Sequence, residues 1–261
     1  MPIVNNFLVG ATLRPSPNHS GLIIPKFIVM HYTAAWTVKG TLDRFADPAS
    51  KVSAQITIDT DGTIYQHVPF NQSAWHAGPS TFGGYTGLNQ YSIGIEHVNP
   101  GFLKKATGGY IDAYGSFKTE AEVGPVVESA CPRAGSGTFF WPLYPEAQLA
   151  ASARLVKDLL AAYPILNIVT HEEIDTRGWK TDPGPAFPMA RYRALLGDRV
   201  KDSISYTVTS STLNVRSGPG TNFNVVQTLR SGDGVRVMEK KEDWVRISSD
   251  GWVHSSFLRV A

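Results

Sequence analysis

The sequence predicts an α/β fold, a mixed β-sheet flanked by helices, followed by a small all-β barrel. Three observations carry this expectation. Phe27-Ile28-Val29-Met30 is an unbroken apolar run, the mark of a strand buried on both faces. Leu149, Ala153, Val156, Leu160 and Tyr163 recur at helical spacing between Pro145 and Pro164, so a long amphipathic helix is expected there. Beyond residue 200 the chain turns to short alternating segments punctuated by Gly, Ser, Asn and Asp.

The remaining elements follow in order. Thr37 to Ala46 reads as a short helix stopped before Pro48. Ala54 to Asp59 alternates apolar and polar residues, and Asp61-Gly62 turns the chain into a second strand, Ile64 to Val68. Ser92 to Val98 and Ile165 to Val169 are further strands, and Ala186 to Leu196 is a closing helix. Residues 99–144 are rich in Gly, Ala and Ser and have no sustained period. So long a stretch without pattern is uncommon inside a domain, and an insertion bordering the cleft is expected. The predicted division is a first domain over 1–197, a linker over 198–205, and a barrel over 206–261 with turns at Gly218-Pro219-Gly220 and Asp233-Gly234.

Composition excludes several classes. The 261 residues are 42% hydrophobic and 18% charged with a net charge of +2, which is ordinary for a globular chain and lacks the basic stripe of a nucleic-acid binder. The single cysteine, Cys131, leaves no intramolecular disulfide and no Cys-based zinc finger. No apolar run approaches the roughly 20 residues of a membrane span. Met1 to Gly10 does not read as a secretory signal, so a phage-type lysin, a specialised route of secretion or a trimmed export form is expected.

Candidate chemistry gathers on a few residues. His31 follows the buried strand, His171 follows the strand ending at Thr170, and Asp182 lies in a loop stiffened by Pro183 and Gly184. A zinc hydrolase needs three such ligands and one open position. The helical His-Glu-x-x-His motif is absent, since His171-Glu172-Glu173 lacks a second histidine. An isolated histidine after a strand is more often structural, so spacing alone leaves the site open. Glu96 shares a strand face with Gly94 and Val98, and His97 faces the other way. A carboxylate centred in a strand is costly to bury without a task or a partner. Cys131 raises a rival Cys-His peptidase, but it precedes Pro132 rather than opening a helix that would lower its pKa.

Five motifs in order decide between these readings. Met30-His31-Tyr32-Thr33-Ala34, Ser73-Ala74-Trp75-His76-Ala77-Gly78, Ser92-Ile93-Gly94-Ile95-Glu96, Thr170-His171-Glu172-Glu173 and Lys180-Thr181-Asp182-Pro183-Gly184-Pro185 span most of residues 27–190. Together they resemble the type-2 N-acetylmuramoyl-L-alanine amidases, relatives of peptidoglycan recognition proteins and of phage lysozyme-type amidases. The resemblance implies an amidase-type α/β fold and a Zn2+ ion held by His31, His171 and Asp182, whose net positive charge activates water near neutral pH. It implies attack on the amide joining N-acetylmuramic acid to L-alanine in peptidoglycan or a muropeptide, with Glu96 as general base and acid and Lys180 supporting the oxyanion. Trp75 and His76 are implied to line the substrate groove, whereas Tyr32, Trp36 and Trp179 read first as aromatic core packing, with contact to sugar or peptide as the alternative.

The second segment contains Leu213-Asn214-Val215-Arg216-Ser217-Gly218-Pro219-Gly220-Thr221, then Trp244-Val245-Arg246-Ile247 and Gly251-Trp252-Val253. It is similar to bacterial SH3-like domains, which implies attachment to the cell wall, with Trp244 and Trp252 as barrel core or as ligand contacts. A monomer acting at the cell wall, periplasmic or extracellular, is expected. A non-catalytic peptidoglycan-binding protein on the same fold is the alternative. Relatives of that kind typically lack one ligand, and here all three are present.

Overall fold

The computed structural model describes residues 2–197, 205–237, 239–248 and 251–260. Its contacts divide the chain into two compact units, Met1–Leu195 and Leu196–Ala261. Residues 198–204, most of the expected linker, lie outside the described residues.

The first unit is built on strands β1 (Thr12–Leu13), β2 (Phe27–Tyr32), β3 (Ile56–Ile58), β4 (Ile64–Gln66), β5 (Ser92–His97) and β6 (Asn167–Thr170). They form one six-stranded sheet in the order β6-β2-β5-β3-β4-β1. The pairs β6–β2, β2–β5, β5–β3 and β4–β1 are parallel, and β3–β4 is an antiparallel hairpin, so the sheet is mixed. Helices α1 (Val38–Ala46), α2 (Glu120–Val123), α3 (Glu146–Ala162), α4 (His171–Ile174) and α5 (Met189–Arg193) complete it. No helix among the described residues is long and apolar enough to cross a membrane.

Burial on both faces explains the unbroken run in β2: Phe27, Ile28, Val29 and Met30 are all fully buried. Each such side chain stabilises the fold by about 1.5–3 kcal/mol relative to an exposed one. The α3 stripe predicted from its spacing is buried at Leu149, Val156 and Leu160. Buried Gln148 of α3 donates to the carbonyls of Ile58 and Val98, and Ser152 meets His97 Nε2 at 2.8 Å. The face carrying His97 is therefore the α3 face, and the alternate residues of β5 face away from it.

Several expectations need correction. Residues 99–144 lack a period but not structure. They form an antiparallel sheet of Lys104–Ala106, Gly109–Ile111 and Phe117–Thr119, then α2, then a hairpin of Val126–Ala130 with Thr138–Pro142. Strands this short show no readable alternation, whereas Phe139, Trp141 and Cys131 give the segment a small buried cluster. The closing helix is also shorter than Ala186 to Leu196. It starts after Pro188, which caps α5, and tightens after Arg193. The first 24 residues hold pairings the sequence did not signal, Ile3–Val4 with Phe7–Leu8 and His19–Leu22 with Gln72–Ala74.

The second unit pairs two sheets around Val208, Leu213, Val215, Val235, Val245 and Val253. One is three-stranded, Gly234–Arg236, Ser205–Val208 and Leu258–Val260. The other is five-stranded, in the order Val225–Arg230, Thr212–Arg216, Trp252–His254, Trp244–Arg246 and Glu239–Lys241. Trp252 is buried, whereas Trp244 is half-buried and packs edge-on to His254 with ring centroids 5.4 Å apart.

Candidate active site

Strand register brings the candidate residues together. Glu96 on β5 pairs with His31 on β2, and Thr170, the last residue of β6, pairs with Met30. His171 therefore follows at the level of His31, and three neighbouring parallel strands present His31, Glu96 and His171 at their carboxyl ends. That edge is where open α/β sheets place their sites. His31 lies inside β2 rather than after it, one residue from the strand's end. Thr170 caps α4, accepting from Glu173 N while the Glu173 carboxylate accepts from Thr170 N, and so fixes how His171 leaves the sheet.

Asp182 comes from the loop after α4. Buried Asp175 organises that loop, accepting from Arg177 Nε (3.0 Å), Trp179 N (3.0 Å) and Lys180 N (3.2 Å). The Tyr144 hydroxyl donates to the Pro183 carbonyl at 2.7 Å. Gly184 has φ +77°, and a Cβ there would stand 2.4 Å from the Trp141 ring. Gly184→Ala is expected to destabilise the first unit by about 2–4 kcal/mol, combining backbone strain with overpacking. Urea unfolding followed by tryptophan fluorescence measures this; an unchanged midpoint would refute it.

The three donor atoms converge. His31 Nδ1 is 2.8 Å from Asp182 Oδ2 and 3.0 Å from His171 Nδ1, and His171 Nδ1 is 2.9 Å from Asp182 Oδ2. All three residues are buried. His171 Nε2 lies 3.3 Å from the Ala77 carbonyl, which can only accept, so the tautomer that donates there leaves the Nδ1 lone pair free for a metal. Lone pairs aimed at a carboxylate oxygen repel unless a cation joins them. Edges of 2.8–3.0 Å approach the about 3.3 Å expected between donors on a tetrahedral zinc. Two imidazoles and a carboxylate thus fit such an ion. Burial works against the charged Asp182 carboxyl, but His171 and then His31 beside it outweigh that and hold it below the usual carboxylate range.

Glu96 is half-buried at the cleft, and its Oε2 has no hydrogen-bond partner in the protein. Burial, then the Asp182 charge, pushes its carboxyl well above the ordinary value, with Lys180 opposing. Lys180 holds its Nζ 4.5 Å over the Trp179 ring, which Arg177 also approaches at 4.6 Å. Trp75 is half-buried in the cleft wall and His76 is buried, its ring in contact with His31. Tyr32 hydrogen-bonds Thr181, and Trp36 Nε1 donates to Asp112 at 2.8 Å. The cleft has a volume of about 760 Å3. That lies within the usual range of ligand-binding clefts, roughly 300–1,000 Å3.

Two contributors escaped the sequence reading. Arg133 donates from Nη1 to the carbonyls of Glu172 (2.6 Å) and Lys180 (3.1 Å), and with Tyr114 it brings the 99–144 segment to the cleft. Asp175 carried no motif. Neither had a detectable signal: Arg133 reaches backbone carbonyls remote in the chain, and Asp175 accepts largely from backbone amides of its own loop.

A mixed sheet that gathers a His-His-Asp cluster and a half-buried acid at its strand ends has the groups a metal-assisted hydrolase would need. Comparison with known proteins gives the family. The N-acetylmuramoyl-L-alanine amidase family model matches residues 22–185, and a bacterial SH3 domain model matches residues 211–259. The 1,6-anhydro-N-acetylmuramyl-L-alanine amidase AmpD of Escherichia coli K12 is 30% identical over 218 residues, 75% of this chain and 97% of that protein. The N-acetylmuramoyl-L-alanine amidase AmiD of the same organism is 33% identical over 172 residues, 62% of this chain and 50% of its own. A crystal structure of a selenomethionine AmpD derivative superposes with a TM-score of 0.53 at 28% identity, covering 75% of this chain and 99% of that one. The chain belongs to the N-acetylmuramoyl-L-alanine amidase family and carries a bacterial SH3 domain at its C-terminus.

Proposed function

We propose that the protein is a zinc-dependent amidase that cleaves the bond between N-acetylmuramic acid and L-alanine in peptidoglycan or its fragments. The convergence of His31 Nδ1, His171 Nδ1 and Asp182 Oδ2 carries this reading. Zinc held there supplies a Lewis acid that activates water and polarises the scissile carbonyl. Glu96, its raised proton affinity suited to the task, takes the proton from the attacking water and returns it to the leaving amine. Lys180, oriented by Trp179 and by the Asp175-bound backbone, offers positive charge to the developing oxyanion. Trp75 and the 99–144 segment, read as an insertion, border the substrate, while residues 206–261 tether the enzyme to the wall as residues 1–197 do the chemistry. On this reading the protein works as a monomer at the cell wall.

The expected result with purified protein and peptidoglycan is release of stem peptides with a free L-alanine amine, seen by mass spectrometry. A chelator abolishes the release and zinc restores it. Glycan fragments with peptides still attached would refute the amidase reading, and turnover indifferent to chelation would refute the zinc.

A further inference from the structure

His76 is buried beside the metal-ligand cluster, and its two ring nitrogens have separate partners. Nδ1 stands 3.0 Å from His31 Nε2. Nε2 lies 3.4 Å from Ser92 Oγ, and the Ser92 hydroxyl donates to the Leu88 carbonyl at 2.6 Å. A carbonyl only accepts, so the Ser92 proton is committed to Leu88 and the Ser92 oxygen is left as an acceptor. His76 Nε2 therefore carries a proton, its Nδ1 is bare, and His31 Nε2–H donates to it. Read from its anchored end, the chain leaves His31 Nδ1 as a lone pair. That atom is the one that meets Asp182 Oδ2 and His171 Nδ1.

We propose that His76 is a positioning residue that fixes His31 in the tautomer whose Nδ1 is free to ligate the metal. The competing tautomer is close at hand: Asp182 Oδ2, at 2.8 Å, would accept a proton on His31 Nδ1 and so block that nitrogen. His171 is held in the matching state by the next residue, through the Ala77 carbonyl. One short segment thus orients both histidine ligands, His76 by its ring and Ala77 by its backbone. The segment is itself pinned, since His76 N and Ala77 N donate to Asn89 Oδ1 at 3.1 and 2.8 Å. The ring seats on Gly94, where a Cβ would stand 2.5 Å from His76 Cγ and 2.8 Å from Nδ1. Gly94 has no left-handed φ, so it is needed for space. His76 Nδ1 faces His31 Nε2 rather than the cluster, so His76 is not a fourth ligand.

This proposal rests on the zinc reading, and its test separates the two. With histidine-15N-labelled full-length protein, the metal-free wild type is expected to show His31 protonated at Nε2. In His76→Phe the proton moves to Nδ1, and zinc affinity by chelator competition falls about 10–100-fold, as for other lost partners of ligating histidines. His76→Asn, with a side-chain oxygen near the former Nδ1, recovers most of the affinity. Gly94→Ala keeps the imidazole but displaces it, and lowers affinity in the same direction. Retention of Nε2 protonation and of zinc affinity in His76→Phe would overturn the proposal, as would equal losses in His76→Asn and His76→Phe. Should His76→Phe fail to fold, unchanged affinity and tautomer in Gly94→Ala would overturn it. A wild type that binds no zinc sinks the zinc reading, while the His31 tautomer of the metal-free protein still decides the role of His76.

Discussion

Glu96→Gln is expected to lower turnover by roughly 10²–10⁴-fold, the range for loss of a general acid–base group, while zinc content stays unchanged. In activation free energy this is about 3–5.5 kcal/mol. The substitution keeps the side chain's size and its place on β5, where register puts it beside His31. What it removes is the ability to hold and return a proton. The wild-type carboxyl is poised for that, with Oε2 buried and unpartnered and with burial, then the Asp182 charge, favouring the protonated form. The sign of the pH dependence follows. A base is lost as pH falls through its own pKa, so wild-type turnover declines on the acid side, and residual activity in Glu96→Gln lacks that limb. Steady-state rates on a muropeptide and zinc content by atomic absorption decide it. Loss of zinc would recast Glu96 as a structural support, and unaltered turnover would remove it from the mechanism.

The legible parts of this protein are those where function and folding write to the same short segment. The apolar run before His31 marks a strand buried on both faces, and the alternation around Glu96 separates it from His97, which indeed turns to Ser152 on α3. Register then does what the sequence cannot display, setting residues from β2, β5 and β6 level at one sheet edge. His76 shows the limit. Its motif marks it as part of the site and implies a place in the substrate groove, but its partners His31 and Ser92 are remote in the chain. Only the fold reveals which way its nitrogens face. The 99–144 segment was opaque for another reason. Its strands run three to five residues, too short for a period to emerge, and Arg133 acts through backbone carbonyls, which leave no trace in sequence.

Asp182→Asn is expected to lower zinc affinity by more than the ~100-fold upper cost of losing an indirect partner, because it strips charge from a donor atom itself. Turnover falls with it. Asn preserves the shape of the side chain, and the backbone carbonyl of residue 182 still accepts from Glu172 N, so the loop keeps its course. The charge is what changes. Asp182 Oδ2 is the atom shared by both histidines, and without its negative charge two imidazole lone pairs are left to hold a divalent cation. Thermal unfolding exposes the difference without reference to activity. Zinc at a hundred times its dissociation constant stabilises a folded protein by about 2.7 kcal/mol, so added zinc raises the wild-type melting temperature. Glu96→Gln should respond to zinc as the wild type does while its turnover stays strongly reduced, whereas Asp182→Asn should show neither the rise nor wild-type turnover. An equal rise in Asp182→Asn would mean that the metal sits elsewhere, and the assignment of His31, His171 and Asp182 as its ligands would fall.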